Sequence, residues 1–318
     1  MAHDPLVIHT ETISDRARAW LADRVELLST RPGEDAFESN AARAEGLLVR
    51  TYTDVDDALL DRMPALKVVG RAGVGLDNID LDACRARGIE VVHTPEANTQ
   101  AVVEYVYTLL FELIRPRIRL ETAVDADTWG GLRSTYVGRR ELDEMTFGVL
   151  GLGKIGRRVA AVAGAFGART IHHDLLDIPE ADRFGSSPVT PETLFAEADI
   201  LSIHVDGRRS NHDLVGADLL GLMKPDSILI NTSRGFVIEE AALDAHLLAH
   251  PDATALLDVH ASEPIPAGSP LLERPNARLT PHLASRTASA MERMSGVVED
   301  VWAVLQGTSP RWSAFKGR

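Results

Sequence analysis

Short apolar runs alternate with amphipathic stretches along almost the whole chain. Residues 6–9, 46–49, 67–69 and 90–93 read as strands, as do 146–150, 170–172, 200–204, 227–230, 254–257 and 277–280. Between many of them apolar residues recur at three- and four-residue spacing, as in 155–166 and 238–249, which predicts helices. Repetition of strand, helix and strand predicts βαβ units and a parallel sheet. Several strands are apolar on both faces, as a sheet covered on both sides requires. Longer helical patterns run over 97–113 and 285–306. The rhythm breaks at 114–144, where Arg115, Pro116, Arg117, Trp129, Gly130 and Gly131 leave no clean period. That segment reads as a connection or arm. No internal repeat or low-complexity tract interrupts the pattern.

Length adds a domain count: 318 residues suit two domains, and an apolar fraction of 45% is ample for two packed cores. The net charge of -14 is spread through the chain and argues against nucleic acid or an anionic membrane as partner, since phosphate neutralisation needs clustered Lys and Arg. No signal-peptide pattern opens the chain, and no stretch reaches the ~18 apolar residues of a membrane span. The single cysteine, Cys84, excludes an intrachain disulfide and a Cys-rich zinc site, and no metal motif occurs elsewhere. A cytoplasmic protein is the expectation.

Gly151-Leu152-Gly153-Lys154-Ile155-Gly156 follows the strand at 146–150 and opens an amphipathic helix. In that context G-x-G-x-x-G is a dinucleotide-binding fingerprint. Gly151 permits the tight turn, Gly153 lets a pyrophosphate approach the backbone, and Gly156 lets helix and strand pack closely. The helix N-terminus then offers free N–H groups to the phosphates. Asp174 ends the next strand, where a carboxylate accepts both ribose hydroxyls and repels a 2′-phosphate. No arginine directly follows it, so NAD is favoured over NADP. The fingerprint sits mid-chain, which leaves the preceding ~145 residues as much of another α/β domain, expected to handle the substrate.

Hydride transfer to nicotinamide needs a base for the hydroxyl proton and a cation to orient the substrate. Open parallel sheets place their sites at the carboxyl ends of strands. Three strands after the fingerprint run into Asn231-Thr232-Ser233-Arg234-Gly235, Asp258-Val259-His260-Ala261-Ser262-Glu263-Pro264 and Pro281-His282-Leu283-Ala284-Ser285. Singly, each reads equally well as a surface ion pair, a solvated loop charge or a helix cap. Together they offer a planar cation for a carboxylate, a charge beside an imidazole, and a proton carrier. His204 and His260 are rival bases. His172 and His173 flank the adenosine side and read as packing rather than metal ligands.

Taken together, these motifs resemble the D-2-hydroxyacid dehydrogenase family, and the likeness runs from about Gly46 to about Val301. Within the family, Gly70-Arg71-Ala72-Gly73-Val74-Gly75-Leu76-Asp77-Asn78-Ile79-Asp80 and His93-Thr94-Pro95-Glu96-Ala97-Asn98-Thr99 are most similar to 3-phosphoglycerate dehydrogenases. The resemblance implies an α/β fold of two doubly wound parallel-sheet domains, a Rossmann-type NAD domain (99–284) inserted into a flavodoxin-like substrate domain (1–98 and 285–318). It implies Arg234, Glu263 and His282 as catalytic residues. It implies cofactor contacts from Gly151, Gly153, Lys154, Ile155, Gly156, Asp174, Val205, Thr232, Arg234, Asp258 and His282. Substrate contacts would come from the backbone around Ala72, Gly73, Val74 and Gly75, and from Arg234 and Arg50, the last in a segment similar to a phosphate-contacting one. A homodimer through the cofactor domain would give the 114–144 arm its role.

This sequence departs from the family pattern at two places. Trp129 is followed by Gly130-Gly131-Leu132-Arg133 rather than a basic cluster, and the usual proline after the His204 strand is missing, with Val205-Asp206-Gly207-Arg208-Arg209 there instead. An Asp206 near the nicotinamide would disturb the site. The length leaves no room for a regulatory amino-acid-binding domain, so feedback through one is not expected. Glu263, where formate dehydrogenases carry Gln, and Val74, where phosphite dehydrogenases carry Lys, turn the reading from those relatives. The remaining alternatives are a hydroxypyruvate or glyoxylate reductase and, in a different class, a non-catalytic NAD(H)-sensing protein.

Overall fold

The computed structural model describes residues 4–138 and 140–315. In chain order its elements are β1 (Leu6–His9), α1 (Asp15–Ala22), β2 (Glu26–Ser29), α2 (Asp35–Asn40), β3 (Gly46–Val49), α3 (Asp57–Asp61), β4 (Val68–Arg71), α4 (Leu81–Ala86), β5 (Glu90–His93) and α5 (Thr99–Ile114). Then follow α6 (Ala126–Thr135), β6 (Thr146–Leu150), α7 (Lys154–Ala165), β7 (Arg169–His173), β8 (Ser187–Pro188), α8 (Pro191–Glu197), β9 (Ile200–Ile203) and α9 (Ala217–Leu220). The last are β10 (Ile228–Asn231), α10 (Glu240–Ala249), β11 (Thr254–Leu257), β12 (Ala277–Leu279), α11 (Ala288–Ser295) and α12 (Val297–Leu305).

The chain divides into two compact units, one running up to Asn98 and resuming at Ser285, the other Thr99–Ala284. The first holds a five-stranded sheet ordered β2-β1-β3-β4-β5, the flavodoxin-like order. The second holds a seven-stranded sheet ordered β12-β11-β10-β9-β6-β7-β8, which reverses at β6 as a Rossmann sheet does. Every pairing within both sheets is parallel. The reason lies in the strands themselves: β1, β3, β9 and β10 are buried at every position, so only a sheet with helices on both faces suits them.

In the second unit, α5 and α7 cover the sheet through Val106, Leu110, Phe147 and Val159, and the Tyr107 hydroxyl donates to the Val159 carbonyl at 2.6 Å. In the first, α12 packs Val297 and Val301 on Val68 and Val92. Gly70 in β4 exists for this contact, since a Cβ there would lie 2.4 Å from Val301.

Three elements differ from the pattern-based expectation. The helix over 285–306 is two helices, broken at Gly296, whose N–H closes α11 onto the Glu292 and Arg293 carbonyls (both 3.2 Å). β2 was not anticipated because only two of its four residues are apolar, as an edge strand allows. β8 is a two-residue edge strand containing Pro188, a residue confined to edges. The 114–144 arm contains α6, started by Asp125, whose carboxylate accepts the Thr128 N–H at 2.7 Å. None of its residues is buried, so it has no apolar face to announce it. Among the described residues no helix is long and apolar enough to cross a membrane.

Candidate functional site

The turn between β6 and α7 is built around its glycines. Gly151 has a φ of +91°, and a Cβ on it would lie 2.8 Å from the His204 carbonyl oxygen. A Cβ on Gly156 would lie 2.0 Å from the Gly151 carbonyl oxygen. Over Gly153, the N-cap of α7, a Cβ would meet nothing within 4 Å, and no side chain caps the helix. Lys154 and Ile155 occupy the first turn, and Val205 borders Gly151 from the end of β9.

Asp174 closes this region. Its carboxylate accepts the N–H of Leu152 at 2.6 Å and that of Leu176 at 2.9 Å, which fixes it beside the glycine turn. Thr232, just beyond β10, keeps a buried hydroxyl without a hydrogen-bond partner among the described residues. An open backbone cradle, a helix N-terminus, a fixed carboxylate and an orphan hydroxyl fit a dinucleotide. The pyrophosphate would lie over Gly153 and the ribose at Asp174.

The chemistry-bearing loops leave three adjacent parallel strands, β10, β11 and β12. Arg234 lies three residues past β10 and points one Nη1–H at the Ser233 carbonyl, 2.8 Å away. Asn231 shapes this loop: its amide donates to the Arg234 carbonyl at 2.9 Å and accepts from the Ser233 N–H and hydroxyl at 3.0 and 2.7 Å. Gly235 lets the loop approach the next one, because a Cβ there would lie 1.9 Å from the His260 carbonyl carbon. The sequence reading assigned neither Asn231 nor Gly235 a role. Their position next to Arg234 at a strand end was the available signal.

His282 and Glu263 meet directly, with Nδ1 2.8 Å from Oε2. Burial alone would raise the Glu263 pKa. The His282 hydrogen bond and charge, with the His260 N–H (3.1 Å) and ring, outweigh it and hold the carboxyl below its ordinary value. An ionised carboxylate only accepts, so Nδ1 carries the proton and Nε2 is left for other work.

His282 takes a left-handed backbone, φ +54°, a conformation that costs a non-glycine residue about 1–3 kcal/mol. Asp258 holds it there. The Asp258 carbonyl accepts the His282 N–H at 2.9 Å. Its fully buried carboxylate accepts the N–H groups of Leu283 and Ala284 and the Thr280 hydroxyl, each at 2.7 Å. The Asp258 side chain is thereby committed to the loop that aims His282.

Geometry separates the rival histidines from His282. Burial drives His204 down to about 3, and its Nε2 sits 2.8 Å from the Ser202 hydroxyl, so it is a poor proton acceptor near neutrality. His260 donates Nε2–H to the Thr280 carbonyl at 2.9 Å. The charge of Asp206 is met inside its own loop: Arg208 Nε lies 2.7 Å from Oδ1, and the Asn211 amide donates to the same oxygen at 3.1 Å. Asp206, expected to disturb the site if it lay near the nicotinamide, is engaged in a local ion pair.

In the first unit the carboxylate cradle is narrower than expected. The Ala72 N–H donates to the Val49 carbonyl at 2.9 Å and the Gly73 N–H to the Arg71 carbonyl at 2.8 Å. Of the four backbone donors, those of Val74 and Gly75 have no partner among the described residues. Arg50 follows β3, and its Nη2 lies 2.7 Å from the Met291 sulfur.

The sequence profile described as D-isomer specific 2-hydroxyacid dehydrogenase, NAD binding domain, matches residues 107–284. The chain is 38% identical to D-3-phosphoglycerate dehydrogenase of Mycobacterium leprae over 95% of its own length and 57% of that protein's, so it spans little more than half of that relative. It is also 38% identical to (S)-sulfolactate dehydrogenase of Chromohalobacter salexigens, over 82% of this chain and 84% of that one. D-lactate dehydrogenase of Aquifex aeolicus, solved with NAD and lactic acid, superposes with a TM-score of 0.83 at 28% identity, covering 95% of this chain and 96% of the other.

Proposed function

Because the chain belongs to the D-isomer specific 2-hydroxyacid dehydrogenase family, we propose that it moves a hydride between NAD and a small D-2-hydroxy acid or its 2-keto acid. The observation that carries this reading is the 2.8 Å His282–Glu263 hydrogen bond, at the carboxyl ends of β11 and β12 in the same sheet as the β6 turn that carries the dinucleotide fingerprint. NAD, when bound, supplies or accepts the hydride at its nicotinamide. Gly151, Gly153 and the first turn of α7, which Gly156 lets pack closely on the strand, would hold its phosphates, Asp174 would hold its ribose, and Val205 and Thr232 would flank it.

In the reductive direction Arg234 grips the substrate's carboxylate and carbonyl side, which suits a guanidinium fork better than an ammonium. His282 gives its Nε2 proton to the keto oxygen as alkoxide character develops. Glu263 keeps Nδ1 protonated and favours the imidazolium needed for that donation. In the oxidative direction neutral His282 takes the hydroxyl proton at Nε2, and Glu263 steadies the imidazolium that forms. The first unit offers the Val74 and Gly75 N–H groups, an anion nest of backbone donors, and the Arg50 guanidinium as groups that hold anions.

3-Phosphoglycerate is one substrate consistent with this arrangement, and hydroxypyruvate or glyoxylate is the alternative. The relatives named for 3-phosphoglycerate and sulfolactate act on acids with a second anionic group, which favours the first. A cytoplasmic homodimer completes the proposal. Exposed Trp129, Tyr136 and Val137 on the arm, and Phe111 and Phe166 along a groove of about 630 Å³ between α5 and α7, form the apolar surface a second copy would cover. Sedimentation at micromolar concentration checks the dimer. Absorbance at 340 nm with NADH and hydroxypyruvate, its phosphate, glyoxylate, pyruvate and 2-ketoglutarate checks the activity. NADH binding without turnover of any acid would leave a cofactor-sensing protein instead.

A further inference from the structure

His260 is a poor base because its ring is engaged, yet the loops that carry Arg234, Glu263 and His282 all meet at it. It stands after β11, in the loop that bears Glu263. Its main-chain N–H donates to Glu263 Oε1 at 3.1 Å, while the other oxygen of that carboxylate, Oε2, meets His282 Nδ1 at 2.8 Å. Its ring Nε2–H donates at 2.9 Å to the carbonyl of Thr280, which opens the His282 loop after β12. Gly235, next to Arg234, lies against its main chain, where a Cβ would come within 1.9 Å of the His260 carbonyl carbon.

The Thr280 carbonyl is the point through which the ring acts. It also accepts the His282 N–H at 3.0 Å, closing the tight turn around Pro281. The rest of Thr280 is tied to the β11 side as well, its N–H to the Leu257 carbonyl at 2.9 Å and its hydroxyl to the Asp258 carboxylate at 2.7 Å. His282 sits at φ +54°, a conformation that persists only where its surroundings impose it. Loosening the Thr280 carbonyl frees that turn, and with it the direction of His282 Nδ1 toward Glu263. A carbonyl only accepts, so His260 Nε2 carries a proton whether the ring is neutral or charged. Nδ1 is the nitrogen that titrates, and the brace survives its titration.

Resting on the dehydrogenase reading above, we infer that His260 is a positioning residue: its ring braces Thr280 so that His282 keeps facing Glu263, while its main-chain N–H holds the other oxygen of the same carboxylate. One residue thereby aligns both partners of the proton-carrying pair. It acts through that pair and takes no proton from the substrate itself. The role belongs to the hydrogen-bond donor on the ring, not to the ring's charge.

The test uses the full chain with NADH and the keto acid it reduces best, with kcat, KM and their ratio measured from acid to alkaline pH. His260→Phe keeps a ring and removes the donor. Reductive kcat should fall about three- to tenfold, the weight of one hydrogen bond left unmade, with KM for the acid and calorimetric NADH affinity close to wild type. The alkaline limb of kcat/KM should move to lower pH, in the direction expected of Glu263→Gln but by less. His260→Gln offers an amide N–H in place of Nε2–H and has no titrating group, and it should restore most of the rate and the limb. In the Glu263→Gln background His260→Phe should move the limb no further, because the contact it aligns has already lost its charge. Nitrogen NMR of the histidine rings gives a readout independent of turnover: the Nδ1–H form of His282 should dominate in the wild type and in His260→Gln, and recede in His260→Phe. A wild-type rate and limb in His260→Phe, or a His260→Gln as impaired as His260→Phe, overturns the brace while leaving the dehydrogenase reading intact. If NADH binds and no acid is turned over, that reading fails, and the ring tautomers alone then decide the brace.

Discussion

The two sheets put their polar groups in the same place, at the carboxyl ends of parallel strands, but they furnish those ends differently. In the second unit the ends of β11 and β12 carry an imidazole and its carboxylate partner, His282 and Glu263, aimed by a buried carboxylate and a strained backbone. In the first unit the ends of β3 and β4 carry groups that do not titrate near neutrality: guanidinium side chains and the N–H groups of Val74 and Gly75. Proton transfer needs a group whose charge changes at working pH, while holding an anion needs one whose charge does not. The contrast predicts that damage at the ends of β11 and β12 will show in rate and pH profile, and damage at the ends of β3 and β4 in KM alone.

The largest expected effect follows from removing the proton carrier. His282→Ala should lower kcat for keto-acid reduction on the order of 10²–10⁴-fold, the usual contribution of a general acid, while calorimetry shows NADH affinity close to wild type. A near-normal kcat would move the proton to another group. Arg234→Lys retains the charge and loses the fork. Stopped-flow or steady-state kcat/KM for the keto acid should fall roughly ten- to a hundredfold. Arg50→Ala sharpens the comparison from the other side: KM for a doubly anionic acid should rise about tenfold with both limbs of the pH profile unmoved. The smallest change is expected at the cofactor's far end. Asp174→Ala should weaken NADH binding on the order of tenfold and narrow the gap to NADPH, measured by fluorescence titration, and a wild type that prefers NADPH would contradict the role given to this carboxylate.

Much of this was legible from the amino-acid sequence because the signals are local. The alternation of apolar strands and amphipathic helices announces a parallel sheet, and Gly151, Gly153, Gly156 and Asp174 sit at spacings that only a β-turn-α unit explains. The less legible features depend on groups far apart in the chain. Nothing in the spacing of Glu11 shows that its carboxylate ties down four N–H groups some forty residues away. Nothing near Arg50 shows that its guanidinium reaches the Met291 sulfur, 241 residues on. Asp258 was expected to serve as a cofactor contact, and only its three hydrogen bonds reveal that it holds the His282 loop. The break at Gly296 was hidden because the apolar period runs on through it, carried by Met294, Val297 and Val301 on one buried face. Edge strands such as β2 and β8 are half apolar or shorter still, so periodicity has little to read there.

The central claim is that Glu263 tunes the proton on His282, and the pH dependence of reduction tests it. Glu263 has a depressed pKa, so it is ionised throughout the working range. The stability it contributes is present above the ordinary carboxylate range and is lost only as pH falls through the lowered value. Glu263→Gln keeps the shape and deletes the charge. Reductive kcat/KM should be measured from acid to alkaline pH for both proteins, with chemistry rate-limiting. The account predicts that the falling limb on the alkaline side moves to lower pH in Glu263→Gln, because the imidazolium has lost its counter-charge. Coincident limbs would contradict it: His282 would then carry its proton without help from Glu263, and the 2.8 Å contact would be structural only.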